Sequence, residues 1–155
     1  MKKKYLFFIL CLFLIVALVF KIKTSNSMSP DAYVTLGNQM GIKGDHFEAS
    51  RVFKSAMHID PYFIPAYLGL GIAYGNLGKN AEAIEVFKEG IKLDKLFRFV
   101  PQMQMSIASI AYDKMNDDEM AIKYIKKALQ SYTDQGNHAG VAMAAHKLKQ
   151  ISPDL

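Results

Sequence analysis

Hydrophobic and polar positions are distributed in two different ways along this chain. From Tyr5 to Phe20 the run YLFFILCLFLIVALVF holds sixteen residues without a charge, bracketed by KKK before it and KIK after it. From residue 30 onward, apolar and polar residues are interleaved in segments of helical length, each opened by capping residues and closed by turn residues. Ser29, Pro30 and Asp31 read as an N-cap, a first-turn proline and an acidic first turn. Asp45 with Glu48 has capping-box spacing, Asn116 with Glu119 repeats it, and Gly44 and Gly78 fall between helices. The expected helices are 30–43, 45–58, 63–77, 80–94, 101–115, 118–132 and 137–150, with no strands.

Sliding the sequence against itself by 34 residues aligns Tyr33 with Tyr67, Leu36 with Leu70, Gly37 with Gly71, Gly44 with Gly78, Ala49 with Ala83, Phe53 with Phe87 and Asp60 with Asp94. A period of this length is the mark of a helical solenoid. Small residues recur where two helices approach closely, and aromatics recur where neighbouring pairs leave space. A third copy returns 38 residues on, at Tyr112, Asn116, Ala121, Ile125 and Ala128, with Ser109 in place of the glycine. The four extra residues fall around Arg98 to Pro101.

The residues that recur resemble those of the tetratricopeptide repeat family over about residues 30 to 135. The first copy reads Tyr33, Leu36, Gly37, Met40, Gly44, Ala49, Phe53, Ala56 and Pro61, and the second Tyr67, Leu70, Gly71, Tyr74, Gly78, Ala83, Phe87 and Gly90. The resemblance implies an all-α solenoid of three repeats, 30–63, 64–97 and 102–135, with residues 136–155 forming a capping helix and tail. It also implies a peptide groove lined by the first helix of each pair. Carried over position by position, that groove would use Val34, Asn38 and Ile42, then Leu68, Ile72 and Asn76, then Met103, Ser106, Ile110 and Lys114. This set is largely apolar, and of the lysines and asparagines with which some family members clamp a carboxylate, only Asn38 is present.

As a helix, residues 5–20 would be about 24 Å long, short of the roughly 30 Å hydrocarbon core but extendable by flanking lysines and Ile22. The first 23 residues are therefore expected to be an uncleaved transmembrane anchor, with 24–29 as a polar linker. Three lysines before the run against two after it place the N-terminus inside and the repeats on the extracytoplasmic side, which is periplasmic in a bacterium. A cleaved secretory signal is the alternative, but no small-x-small site follows closely.

Charge sharpens this reading. The formal net charge is +5, yet five of the 19 basic residues flank the apolar run, leaving 14 against 14 acidic residues that all lie beyond residue 24. The repeat portion is neutral, without the basic surplus that drives nonspecific nucleic-acid binding. The single cysteine, Cys11, lies in the apolar run, which leaves the repeats without disulfides or thiolate metal ligands. His46, His58, His138 and His146 show no ligand spacing, and no phosphate, dinucleotide or nucleophile motif is present. Lys123, Lys126 and Lys127, with Lys114 nearby, form one basic cluster that reads as a solvated outer face, the alternative being contact with anionic lipid heads or an acidic partner. The expected protein is not an enzyme and needs no cofactor or metal. It would be a membrane-tethered adaptor that docks a membrane or envelope protein in an apolar groove, supporting assembly of a complex. The alternative is a structural subunit or self-associating repeat protein, with homo-oligomers formed through its faces.

Overall fold

The computed structural model describes residues 12–15 and 28–153. Beyond a helical turn at 12–15, it contains seven helices: α1 (Pro30–Ile42), α2 (His46–Ile59), α3 (Ile64–Asn76), α4 (Asn80–Leu93), α5 (Val100–Met115), α6 (Asp118–Asp134) and α7 (His138–Ile151). No strand occurs among the described residues.

Local chemistry sets the helix ends. Ser29 accepts from the Ala32 N–H at 3.2 Å to open α1, and Asp45 accepts from the Glu48 N–H at 3.2 Å to open α2. Gly44, Gly78 and Gly136 turn the chain inside three connections with φ of +83°, +74° and +65°. The third repeat departs from the expected cap. Asp117 opens α6 by accepting from Met120, while Asn116 takes φ +53° and ends α5. Asparagine tolerates this left-handed geometry better than other residues with a Cβ, so it serves in the turn where the earlier copies use glycine.

Consecutive helices pack on one another, and the first helices of successive pairs also touch, α1 with α3 and α3 with α5. The core is correspondingly threaded between pairs. One cluster joins Ala49, Phe53, Leu70 and Ala73; the next joins Ile64, Ile84, Phe87, Met103, Ile107 and Ile110; the last joins Ala108, Ile125, Ala128, Tyr132 and Ala144 under α7. At the other end of the stack, Asp31, Thr35 and Gln39 leave a polar, exposed stripe on α1. Tyr67 ties one connection to the core by donating its hydroxyl proton to the Pro61 carbonyl at 2.8 Å, and burial raises its phenol above the usual range.

The membrane placement is corrected here. Leu12–Ile15 form one exposed helical turn, while the rest of the expected anchor, residues 1–11 and 16–23, lies outside the described residues, as do 24–27 of the linker. Among the described residues no helix is long and apolar enough to cross a membrane. The single-pass placement with extracytoplasmic repeats therefore has no spanning helix to rest on and is withdrawn.

Candidate functional site: a concave apolar groove

Side chains missing from the first helix of a pair, and rings supplied by the second, create the groove. Phe53 of α2 is buried with its ring between Gly37 of α1 and Gly69 of α3. A Cβ on Gly37 would meet that ring at 2.7 Å, and one on Gly69 would meet it closer still, so only glycine admits the ring at either place. Phe87 of α4 repeats the arrangement one pair on, pressed against Gly71 of α3. The bare helix surfaces then leave space on the solvent side.

Two adjoining recesses occupy that space. The first, about 440 Å³, lies between α1 and α3, with Gly37, Gly41, Gly69, Ala73 and the Phe53 ring as its lining and Asn38, Ile42 and His46 at its edge. The second, about 350 Å³, lies between α3 and α5 over Phe87, Gly71, Gly75 and Met105, with Ser106, Ser109, Asp113 and Lys114 supplying polar groups and Met143 of α7 closing one side. Ile72 and Asn76 line both recesses and so stand on the ridge between them. Ile72 is 47% exposed, a large apolar side chain offered to solvent at the centre of the groove. At the rim, Lys147 reaches Asp113 at 3.4 Å while packing over the Tyr112 ring, which leaves Lys114 as the uncompensated charge of the second recess.

Of the ten positions expected from sequence, Asn38, Ile42, Ile72, Asn76, Ser106, Ile110 and Lys114 line these recesses. The other three are placed elsewhere. Val34 packs half-buried on the Phe53 cluster and Leu68 on the Phe87 cluster. Met103 is fully buried, because Gly90 of α4 leaves a gap that its sulfur fills, 2.7 Å from where a Gly90 Cβ would be. Sequence reasoning missed Gly41, Ala73, Met105, Ser109 and Met143 as groove residues. The spacing Gly69, Ile72, Ala73, Asn76 puts those four on one face of α3, a signal that was readable once the glycines were taken as floor. Lys123, Lys126 and Lys127 are exposed on α6, with Lys127 5.2 Å from the centre of the Tyr124 ring, whereas Lys114 belongs to the second recess. Among the described residues, no three His, Cys, Asp or Glu side chains gather as a metal site would require.

The tetratricopeptide repeat family model matches residues 64–95 and 102–135, the second and third helix pairs. Those two helix pairs match as tetratricopeptide repeats. The first pair, 30–63, lies outside the match, but it contributes Phe53 to the same ring-against-glycine packing that Phe87 makes in the second. No curated relative matches the sequence. Among solved structures, the chain resembles PcrH from Pseudomonas aeruginosa, with 21% identity and TM-score 0.71 over 81% of this chain and 96% of that one. It also resembles the type III secretion translocator chaperone SycD of Yersinia enterocolitica, with 20% identity and TM-score 0.69 over 84% and 90% of the two chains. SycD in complex with a peptide of the translocator YopD gives 19% identity and TM-score 0.68 over 78% and 90%. At these identities the likeness is one of fold.

Proposed function

We propose that this protein is a non-catalytic docking module that holds an apolar segment of a partner protein in the groove between α1, α3 and α5, as an assembly or stabilising factor for that partner. The observation that carries this reading is the pair of recesses joined at Ile72 and Asn76, apolar along the floor and supplied with amides and hydroxyls along the edge. Such a surface can bury alternate side chains of a bound segment while polar edge groups satisfy its backbone. The reading is further supported by a fold neighbour, SycD, whose solved complex contains a translocator peptide.

The test is Ile72→Asp. Because Ile72 is exposed on the ridge, the substitution is expected to change unfolding free energy by less than about 1 kcal/mol. It should nevertheless abolish co-purification of a partner that the unaltered protein retains, since an unpaired carboxylate would be buried in the complex. Undiminished recovery of the partner would overturn the reading.

A further inference from the structure

We propose that the partner segment held in the groove is apolar at one end and acidic at the other, with an apolar side chain over Ile42 on α1 and an aspartate or glutamate side chain paired with Lys114 on α5. The inference rests on the docking reading above and names the chemistry of its ligand. Ile42, Asn76 and Lys114 occupy one position in three successive copies, separated by the repeat offsets of 34 and 38 residues, and each stands in the last turn of the first helix of its pair. All three line the recesses. One edge of the groove therefore changes along the stack from apolar to amide to cation. Ile42 is 87% exposed, the largest value for a big apolar side chain among the described residues, so an apolar ligand residue gains by covering it.

The other end of that edge is electrostatically open. The titratable side chains that line the recesses are His46 in the first and Asp113 and Lys114 in the second. Lys147 holds Asp113 at 3.4 Å. Among the described residues the other ion pairs join Arg51 to Glu48 and Lys88 to Glu85, and Lys114 enters none. A segment laid over the apolar floor strips water from this ammonium, which favours a ligand that brings a carboxylate and opposes one that brings a second cation. Asn76 lines the same recess and has an amide N–H to donate to that carboxylate. The geometry also sets a spacing. Helices in contact lie about 8 to 10 Å apart, which separates the α1 and α5 edges by about 16 to 20 Å across α3. An extended segment advances about 3.3 Å per residue, so its acidic residue should stand about five or six residues from its apolar one.

The test uses random peptides about twelve residues long, displayed on phage with their C-termini joined to the coat protein, so that they present side-chain carboxylates and no free chain end. They are selected on the full chain, with Ile72→Asp as the blocked-groove control. Peptides retained by the unaltered protein and lost on Ile72→Asp should carry Asp or Glu about five or six residues from a large apolar residue. One such peptide, synthesised with an amidated C-terminus, should bind Lys114→Glu at least about fivefold more weakly, and the same peptide with lysine in place of its acid should regain affinity for Lys114→Glu. Ile72-dependent peptides without an acidic residue, equal affinity for both proteins, or a loss without that rescue would overturn the proposal and leave the groove reading standing. A Lys114→Glu chain that loses thermal stability but binds the peptide unchanged would overturn it too, assigning the lysine to the negative end of the α5 dipole. If no peptide depends on Ile72, both readings fall.

Discussion

In the first two helix pairs, Phe53 and Phe87 rise against Gly37, Gly69 and Gly71, and the glycines leave open recesses on the solvent side. In the third pair, Ile125 occupies the aromatic position and Ser109 the glycine position; the packing under α6 closes there, while Ser109 itself lines the second recess on the α3 side. Met103, Ile107, Ala108, Ile125 and Ala128 are all fully buried there. One repeat plan thus gives a surface that accepts a ligand and a surface that supports it. The open recesses lie where Phe53 and Phe87 meet glycines of α1 and α3. The same division appears in the turns, with glycine at positive φ after α1 and α3 and Asn116 after α5.

The largest effect that could break this comparison is Phe87→Ala. Phe87 is both core and groove floor, so its loss should cost about 3 to 5 kcal/mol in denaturant unfolding and also weaken partner binding. Ile125→Ala should cost about 2 to 5 kcal/mol but leave the affinity of the folded protein unchanged, because Ile125 lines neither recess. If the two variants lose binding in equal proportion to stability, the two regions do not divide the labour as argued. Gly71→Ala should come next, at about 1 to 3 kcal/mol, since its methyl would drive the Phe87 ring out of place. A neutral result by thermal unfolding would show that the ring does not need a bare helix. The smallest effect should come from Asn116→Gly, which relieves a left-handed residue and is expected to stabilise by about 0.5 to 1 kcal/mol in the same assay.

Much of this architecture was legible from residue chemistry. The seven aligned positions at offset 34 expose the pairing, and Ser29 and Asp45 mark helix starts because a side-chain oxygen accepts a backbone N–H there in both cases. Asn116 was misread because the same residue type suits an N-cap and a left-handed C-terminal turn, and Asp117 beside it took the first role. Met103 was misread for a different reason. Its destination depends on the gap at Gly90, thirteen residues earlier, and no pattern within α5 reports that gap. Val34 and Leu68 show the same limit, since one helical position separates a groove wall from the core and only packing fixes the rotation. An uncharged run long enough to suggest a span, as in residues 5–20, fixes neither its environment nor its partner.

The most direct test of the docking account is site-specific photo-crosslinking of the full chain, with a photoreactive residue in place of Ile72 on the groove ridge or Lys123 on the outer surface of α6. The account predicts a crosslink from position 72 to an apolar segment of the partner, and none to that segment from position 123. Crosslinking to the partner from position 123 alone, or equally from both, would contradict it.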